Sequence, residues 1–537
     1  MLPMLRLLSG DLALDEIDDY SLEDLPAIAR LTYWAGMLGC RVLVSSATMP
    51  PALAAGLFAA YREGRAVFQK NRGERPEEAP DIHCMWTDEF RTCTERIADE
   101  HAFAAAHRDF SRKRAQRVSD APHRRSVRLL DTAALHGCSS RKLARELAHE
   151  LLGAACRLHA DNHSVFQGKR VSFGLVRMAN IGPLRRVARA LCGLDAPEGM
   201  RVHALVYHSR FPLCVRTRIE TLLDRCLTRK DPAAVFDEVG SRLHGPERDH
   251  IFLVLASPVC EVGRDWDADW ALVEPSSMRS LIQLAGRIRR HRPGEHGTVN
   301  LLVWSRNFKA LEEPGEPAFR RPGFETGKGG LFTLRSHDLK QILLPEQYER
   351  IDSRPRLLAR EHPEPRGNLA DLEHARLERL FAAECENREE QAARICASSW
   401  WRQPQSMLTG VLQQRQPFRA PSCPEADYML LPDEDENDWV LTAINKTGES
   451  SQEKKLTRIM DEGDPALARG GPAEIFHWGQ GMEPWIVADV LQLVYDLAEE
   501  KNLSLELCAR KYAVLRLPES GTGGWSFHPL LGFDRKD

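Results

Sequence analysis

The sequence predicts an α/β fold with two parallel-sheet domains, the first of them incomplete, followed by a mixed, mainly helical C-terminal domain. Between residues 11 and 306, apolar runs of strand length alternate with amphipathic helical stretches. A helix placed between two such strands makes them parallel, because the crossover returns the chain to the same end of the sheet. The alternation stops after Trp304, where Pro and Gly become frequent.

Length and composition indicate a folded protein of more than one domain. The 537 residues are 43% hydrophobic and 28% charged, which is ordinary for globular proteins. The formal net charge of −4 means that any nucleic-acid site has to be a local groove. The 13 cysteines contain no CxxC pair, which favours reduced thiols in a cytoplasmic protein over a zinc site. The sequence also shows no secretory signal and no apolar run of about 18 residues.

Residues 1–100 are assigned to the first domain, which contains a βαβ unit. The stretch DLALDE predicts a strand, LEDLPAIARLTYWAGML an amphipathic helix, and RVLVSSAT a second strand. Polar residues stand at the end of both strands: Asp15 and Glu16 in the first, Ser46 and Thr48 in the second. Ligands of open α/β sheets bind at these carboxyl ends.

A helical bridge over residues 101–125 leads to a second α/β domain over residues 126–310. The predicted strands of this domain are VSFGLVRM, VHALVYHS, IFLVLASP, WALVEP and VNLLVW. Several of them are separated by amphipathic stretches, so the sheet is expected to be parallel, with helices on its faces.

The remaining residues give weaker signals. Residues 311–367 are assigned to a linker and accessory segment rich in Pro and Gly, and residues 368–537 to the C-terminal domain. We expect helices over residues 368–397, with Asn368 as the cap, and over residues 484–501, and a strand at YAVLRLP.

The polar strand ends of the first domain are candidates for phosphoryl-transfer chemistry. A carboxylate such as Asp15 can hold Mg²⁺ through water, and its neighbour Glu16 can orient an attacking water. The alternative is that the acidic string only favours the dipole of the next helix. The hydroxyls of Ser46 and Thr48 can hydrogen-bond a neighbouring loop, or they can simply form a Ser/Thr turn.

Two segments of the second domain carry further candidates. In ASPVCEVGRDWDADWALVEP, Gly263 lets backbone amides approach a phosphate, and Asp265 can accept from a ribose hydroxyl or from an arginine. The alternative is a simple Asp-rich turn.

The stretch LIQLAGRIRRHRPG is the second of these segments. If residues 280–290 are helical, Leu281, Leu284 and Ile288 form an apolar stripe. The opposite side then carries Gln283, Gly286, Arg287 and Arg290. Two guanidiniums one turn apart match phosphate oxygens, whereas the alternative is a solvated basic helix.

Taken in order, the four patterns resemble motifs II, III, V and VI of superfamily 2 helicases over residues 11–306. The resemblance implies two RecA-like domains with ATP between them. It assigns Mg²⁺ to Asp15, the attacking water to Glu16, and the coupling of hydrolysis to DNA movement to Ser46 and Thr48. By the same resemblance, Gly263 and Asp265 lie near the nucleotide and the DNA strand. Arg287 and Arg290, in the motif with Gln283 and Gly286, reach the γ-phosphate.

Longer stretches around these motifs, including VYHSRFP, resemble the helicase-nuclease of type I CRISPR systems, most closely the type I-F form. This family unwinds and degrades target DNA after recruitment by the Cascade complex. The resemblance implies single-stranded DNA and Cascade as partners, and it adds His208 and Arg210 as contacts to the strand.

The sequence departs from this family in two respects. It contains no GxxxxGK[ST] phosphate loop, since GKGG at 327–330 and NKTGES at 445–450 lack the required spacing. Its His337-Asp338 pair stands without the further ligands of an HD nuclease site. We therefore expect the C-terminal part of a longer protein, which depends on separate P-loop and HD nuclease portions for activity. The alternatives are an ATPase-inactive module that binds single-stranded DNA or a partner complex, and a superfamily 2 helicase of another pathway.

Overall fold

A computed structural model of the chain describes most of its residues. The described ranges are 2–229, 231–261, 263–382, 396–403, 407–420, 423–433, 439–444, 450–453, 456–461, 473–486, 489–519 and 524–535. Two lobes and a C-terminal region are distinguished within them. The predicted α/β class is confirmed, because the largest sheet is almost entirely parallel and is covered by helices.

The first lobe, residues 2–97, contains the predicted βαβ unit. Its elements are α1 (Leu2–Leu7), β1 (Leu12–Leu14), α2 (Leu25–Leu38), β2 (Val42–Val44), α3 (Pro51–Arg72), β3 (Ile82–Thr87) and β4 (Thr92–Ile97). Strands β1 and β2 are parallel, with Leu12 opposite Val42, and they form a two-stranded sheet. Leu43 on β2 is 60% exposed, so one face of this small sheet is open.

Helices α2 and α3 approach each other at a pair of glycines. A Cβ on Gly36 would lie 2.3 Å from the carbonyl oxygen of Tyr61, and a Cβ on Gly64 would lie 2.1 Å from that of Tyr33. Because no real Cβ tolerates such distances, only glycine permits this helix contact at both positions. The contact fixes α3 against the helix that connects the two polar strand ends.

Helix α4 (Glu100–Asp120) leads into the second lobe, residues 126–304. The elements of this lobe are β5 (Val127–Leu130), α5 (Ser140–Asn162), β6 (Ser164–Phe166), β7 (Lys169–Arg177), α6 (Ile181–Cys192), β8 (Met200–Tyr207), α7 (Leu213–Leu227), α8 (Pro232–Gly240), β9 (Asp249–Ala256), β10 (Trp270–Val273), α9 (Met278–Ala285) and β11 (Leu301–Trp304). Every residue of β9 is buried, as expected for a central strand covered on both faces. Helices α5 and α6 pack on one face of the sheet, and α7, α8 and α9 on the other.

The C-terminal region, residues 308–535, mixes short helices with strands. Its helices are α10 (Phe308–Glu312), α11 (Leu339–Ile342), α12 (Pro345–Tyr348), α13 (Arg354–Leu357), α14 (Leu369–Phe381), α15 (Ser399–Arg402), α16 (Val411–Arg415), α17 (Val490–Lys501) and α18 (Leu505–Tyr512). Its strands are β12 (Glu425–Pro432), β13 (Trp439–Ile444), β14 (Ser450–Glu453), β15 (Leu456–Asp461), β16 (Ala473–Phe476), β17 (Met482–Pro484), β18 (Val514–Pro518), β19 (Trp525–His528) and β20 (Gly532–Arg535). The predicted strand YAVLRLP corresponds to β18.

Eight of the described strands of this region form two four-stranded sheets, ordered β14-β13-β12-β18 and β16-β15-β19-β20. Of these strands, only β18 was predicted from the sequence. Of the predicted helix at 368–397, α14 is present with Asn368 as its cap, accepting from the amides of Ala370 and Asp371. Residues 383–395 of that prediction lie outside the described residues, as do residues 445–449 of the NKTGES stretch.

The large sheet of the second lobe extends beyond residues 126–310. Its strand order is β17-β8-β9-β7-β10-β11-β5, with β6 as an antiparallel addition to β7. Strand β17 comes from the C-terminal region and pairs in parallel with β8, where Met482 lies opposite Val202. The C-terminal region therefore completes one edge of the sheet, an arrangement that the sequence did not predict.

Helix α14 holds the two lobes together. A Cβ on Gly56 of α3 would lie 2.2 Å from the ring of Phe381, so α14 packs directly on the first lobe. On the other side, the Glu373 carboxylate accepts from the backbone amide of Met278 at 2.5 Å. Glu373 is 1% exposed, and Arg356 neutralises it. The position of α9 relative to the first lobe therefore depends on a third element.

No helix in the described part of the chain is both long and apolar enough to cross a membrane.

Replacing Gly174 by alanine should destabilise the second lobe. A Cβ on Gly174 of β7 would lie 2.2 Å from the indole of Trp270, which is fully buried. We expect the free energy of unfolding to fall by about 1–3 kcal/mol from overpacking, measured by urea denaturation followed through tryptophan fluorescence. Gly153→Ala in α5 is the matched control, because its Cβ would meet only the end of Arg157 at 3.4 Å. Equal stabilities of the two variants would contradict the tight contact.

Candidate active site

The acidic loop, residues 15–19, follows β1 and turns sharply at Glu16. Glu16 has a φ of 48°, in the left-handed region, and a short 3₁₀ turn over Ile17–Asp19 follows it. This turn leaves Asp15 and Glu16 on the surface and buries Ile17 and Asp18. The two carboxylates assigned to Mg²⁺ and water are therefore accessible at the strand end.

The hydroxyls at the end of β2 bind the acidic loop. Ser46 Oγ and Thr48 Oγ1 both donate to the carboxylate of Asp18, and Ser45 Oγ donates to Asp15 at 2.5 Å. Asp18 is 4% exposed. The sequence reasoning missed this aspartate. Its place three residues after Asp15 in the string DEIDDY was the signal that could have identified it.

The carboxylates of the acidic loop repel each other. Desolvation raises the pKa of Glu16, and the neighbouring Asp19, Asp18 and Asp15 raise it further, whereas Arg287 of the second lobe lowers it. Burial also raises the pKa of Asp19. The loop is therefore a concentration of negative charge that a cation or an arginine stabilises.

Helix α9 of the second lobe contacts the acidic loop directly. Gln283 Nε2 donates to the carboxylate of Asp19, and Arg279 Nη1 donates to the carbonyl oxygen of Asp18 at 2.6 Å. Gln283 was a candidate from the sequence, whereas Arg279 was not. The acidic loop of the first lobe and α9 of the second are thus in direct contact.

The helix expected over residues 280–290 is shorter than predicted. Helix α9 ends at Ala285, Arg289 adopts a left-handed φ of 47°, and Ile288 bridges to Ala268. The cause is a buried ion-pair cluster in which Arg292 binds the carboxylate of Asp267 at 2.6 Å. This attraction outweighs helix propensity, so Arg287 and Arg290 do not lie one turn apart on a helix face.

Arg287 lies close enough to Glu16 and Asp19 of the acidic loop for their charges to interact. It is 7% exposed, its Nη2 donates to the carbonyl of Glu261, and its Nε is buried without an acceptor among the described residues. Burial lowers the pKa of Arg287, whereas Glu16 and Asp19 raise it. The Nε–H that lacks an acceptor is itself enclosed by protein atoms.

Arg290 is held differently from Arg287. Its Nε lies 2.9 Å from Asp265, and about two fifths of each side chain is exposed. His291 pairs with the same aspartate at 3.0 Å. The two sequence candidates Arg290 and Asp265 are therefore partners of each other in this conformation.

Gly263 leaves an open backbone surface beside this pair. It has a φ of 66°, and a Cβ placed on it would meet nothing within 4 Å. Gly286, in contrast, follows the last residue of α9, where a Cβ would lie 3.0 Å from the carbonyl of Gln283. Its backbone is in the right-handed helical region, with φ −61° and ψ −16°, which any residue adopts.

His208 does not fit the role of a DNA contact. It is fully buried, its Nε2 lies 3.0 Å from the carbonyl oxygen of Leu531, and burial lowers its pKa well below the ordinary value. Arg210 pairs with Asp534 at 3.1 Å. Both residues instead anchor the β19–β20 turn of the C-terminal region to the second lobe.

The residues present fit one side of a nucleotide and metal site. The surface carboxylates of Asp15 and Glu16 suit a metal ion, and the open backbone at Gly263 suits a phosphate oxygen. In the part of the chain that the structure describes, no group of three or more His, Cys, Asp or Glu side chains is arranged to hold a metal ion. A Mg²⁺ bound through water to Asp15 alone needs no such group.

Two family models match this sequence. The model described as CRISPR-associated nuclease/helicase Cas3, C-terminal, matches residues 170–293. The model described as CRISPR-associated Cas3 subtype I-F/YPEST-like, C-terminal domain, matches residues 430–535. The matched residues include β7 to α9 of the second lobe and most of the strands of the C-terminal region.

Curated relatives match over almost the whole chain. A CRISPR-associated nuclease/helicase Cas3 subtype I-F/YPEST of Pseudomonas aeruginosa is 44% identical over 99% of this chain and 48% of the relative. A protein of the same description from Pectobacterium atrosepticum is 37% identical over 99% of this chain and 47% of the relative. The chain thus spans about half the length of the curated relatives it matches.

Among solved structures, the crystal structure of T. fusca Cas3-AMPPNP is similar at 20% identity. The likeness covers 58% of this chain and 31% of that one, with a TM-score of 0.37. The family model and the curated relatives confirm the resemblance to the type I-F form that the motifs predicted. The chain belongs to the CRISPR-associated Cas3 subtype I-F/YPEST family and corresponds to the C-terminal part of its members.

Proposed function

We propose that this chain supplies the C-terminal part of an ATP-dependent DNA helicase of CRISPR type I interference. The contact that carries the proposal joins the acidic loop of the first lobe to α9 of the second, through Asp19 and Gln283 and through Asp18 and Arg279. A nucleotide cleft between two lobes requires such facing motifs, because each lobe provides only part of the cleft.

In the proposed reaction, bound ATP is hydrolysed, and this hydrolysis supplies the free energy for DNA movement. Asp15 would hold Mg²⁺ through water, and Glu16 would hold the attacking water by accepting its hydrogen bond. The raised pKa of Glu16 supports the second role, because a more basic carboxylate is a better proton acceptor.

Arg287 and Arg290 stabilise negative charge on the phosphates. The charge interaction between Arg287 and Glu16 supports a position of this guanidinium beside the terminal phosphate. Arg290 would exchange its bond to Asp265 for a phosphate oxygen, which costs little because about two fifths of each side chain in that ion pair is exposed.

Asp18 couples the cleft to the rest of the first lobe. Its carboxylate holds Ser46 and Thr48, whereas its carbonyl accepts from Arg279 of the other lobe. A displacement of the acidic loop therefore acts on the β2 end and on α9 together, which supports the assignment of Ser46 and Thr48 to coupling.

The proposed partners are single-stranded DNA, the Cascade surveillance complex, and the P-loop and HD nuclease portions of the longer relatives. The proposed location is the cytoplasm. An ATPase-inactive binding module is the second candidate, favoured by the lack of a GxxxxGK[ST] motif in the sequence.

The two candidates differ in ATP turnover. We expect the purified chain with single-stranded DNA to hydrolyse ATP at background rate, because positioning of the β- and γ-phosphates depends on a P-loop. Adding the remaining portion of the Pseudomonas aeruginosa relative should restore Mg²⁺-dependent turnover. Arg287→Ala should reduce the restored rate by about a hundredfold or more. Arg218→Ala, at an exposed position on α7, is the control.

Failure of the mixture to turn over ATP, despite complex formation, would favour the binding module. A robust Mg²⁺-dependent rate from the chain alone would contradict the role given to the missing P-loop.

Glu16→Gln should stabilise the chain at neutral pH. The pKa of Glu16 is raised in the folded state, so the ionised carboxylate lowers the free energy of unfolding at pH values above that pKa. This loss of stability disappears as the pH falls below the ordinary value of 4.5. The difference in free energy of unfolding between variant and wild type should therefore shrink as the pH is lowered from 8 towards 5, as measured by urea denaturation. Glu198→Gln, at an exposed position, should show no such trend. If Glu16→Gln were less stable than the wild type at pH 8, the claim that neighbouring carboxylates disfavour ionised Glu16 would be wrong.

A further inference from the structure

The arginine loop, residues 286–292, leaves the helical path after α9. Helix α9 ends at Ala285, and Arg289 has a φ of 47°. In a helix each carbonyl accepts from an amide four residues later, so a loop that leaves the helix needs other donors for its carbonyls. The position of Arg287 and Arg290 therefore depends on where those donors come from.

Two of the donors come from the connection between the lobes. The connecting segment, residues 121–126, joins α4 to β5. Arg125 Nε donates to the carbonyl of Ile288 at 3.1 Å, and Arg124 Nη1 donates to the carbonyl of Arg290 at 3.1 Å. The backbone of the arginine loop is thus held by a part of the chain more than 150 residues before it.

Arg125 is a fixed point from which to hold that loop. Asn300, fully buried before β11, binds the backbone on both sides of Arg125. Its Nδ2 donates to the carbonyl of Arg124 at 2.9 Å, and its Oδ1 accepts from the amide of Ser126 at 3.0 Å. The backbone of Arg125 is therefore part of the second lobe, and its side chain extends from a rigid base.

No ion pair explains where the Arg125 side chain lies. Within the described residues, no carboxylate is within ion-pairing distance of Arg125, and the carboxylates that act on its charge already have partners. Asp267 pairs with Arg292 at 2.6 Å, and Asp352 pairs with Arg354 at 2.9 Å. The bond to the carbonyl of Ile288 is what fixes this side chain.

The surroundings of Arg125 disfavour its charge. Burial, together with the charges of Arg124 and Arg290, lowers the pKa of Arg125 to about 10. The group is still protonated at neutral pH. A cation is thus kept beside two others, and its recorded donor bond goes to a backbone carbonyl of the arginine loop.

The acceptor carbonyl lies at the centre of the loop's attachment to the sheet. The amide of Ala268 donates to the carbonyl of Arg287 at 2.9 Å, and the amide of Arg289 donates to the carbonyl of Ala268 at 3.1 Å. Ile288, the acceptor for Arg125, stands between these two bonds. Loss of the Arg125 bond should therefore loosen both of them.

We propose that Arg125 is a positioning residue for the arginine loop, in which its Nε–H holds the carbonyl of Ile288 and thereby places Arg287 and Arg290. The consequence for ATP hydrolysis rests on the proposed function, whereas the placement of the loop does not. The alternative is that Arg125 acts through its positive charge beside Arg290. The two explanations differ in whether the donor atom or the charge matters.

A matched pair of variants separates the donor from the charge. Glutamine places its Nε2 where arginine has Nε, and methionine places a methyl group there, so both lose the charge and only glutamine keeps a donor. We expect Arg125→Met to accelerate hydrogen exchange at the amides of Ala268 and Arg289 about fivefold or more, because bonded amides exchange through local opening. Arg125→Gln should stay within about twofold of the wild type.

The measurement is hydrogen-exchange mass spectrometry of the full chain, on peptides covering residues 266–270 and 287–291. Arg128→Met is the control, because Arg128 is exposed on the neighbouring β5. Peptides of β8 and β9 should exchange at the wild-type rate in every variant. Faster exchange of those strands in Arg125→Met would overturn the positioning role, since it would indicate general destabilisation of the lobe.

A second readout is ATP turnover in the mixture with the remaining portion of the Pseudomonas aeruginosa relative. We expect Arg125→Met to lower kcat about tenfold or more with KM changed less than about twofold, because displaced guanidiniums lose contacts made in the transition state. Arg125→Gln should recover most of the lost kcat.

Equal effects of Arg125→Gln and Arg125→Met on exchange would overturn the positioning role in favour of the charge. Unchanged exchange in Arg125→Met would also overturn it, since the bond to Ile288 would then hold nothing in place. If the wild-type mixture did not turn over ATP, the proposed function would be wrong. The exchange comparison would still decide the role of Arg125, because it requires no nucleotide.

Discussion

The contact between the acidic loop and α9 is the interaction on which the arrangement of the site depends. Five residues after β1 bind the hydroxyls at the end of β2 through Asp18, and they bind the other lobe through Asp18 and Asp19. Helix α14 keeps α9 in place from the opposite side, through Glu373. The loop cannot shift without breaking bonds in both lobes. Such a shared loop is a physical means of turning a local change into a movement between lobes.

Within the second lobe, a buried arginine connects the separate candidate residues. Arg177 at the end of β7 is fully buried, and its Nε donates to Glu261 at 2.5 Å while its Nη2 donates to Ser276 at 2.7 Å. The backbone carbonyl of Glu261 in turn accepts from Arg287. An ion pair at this depth offsets its desolvation only when its hydrogen bonds are satisfied. The orientation of Arg287 therefore depends on β7, the loop after β9 and α9 together.

The sequence predicted the parts of the fold that depend on local patterns. Hydrophobic periodicity identified the βαβ unit and strands β7 to β11 of the second lobe, but not β5 and β6. The polar residues after β1 and β2 do lie at one edge of a parallel pair. Asn368 was predicted as a cap because capping depends on one side chain and the next two amides. The roles of Asp15, Glu16, Ser46 and Thr48 stay predictions until turnover is measured.

The features that the sequence could not predict depend on residues far apart in the chain. Helix α9 ends at Ala285 because Arg292 binds Asp267, which precedes β10. The hydrophobic period of a helix carries no information about that ion pair. His208 lies within a predicted strand end, yet its burial follows from the β19–β20 turn more than 300 residues later. Strand β17 joins the edge of the large sheet by the same long-range docking. Long-range ion pairs and edge strands thus decide which charged residues remain exposed. Arg290 is partly exposed and can meet a ligand, whereas His208 is fully buried and cannot.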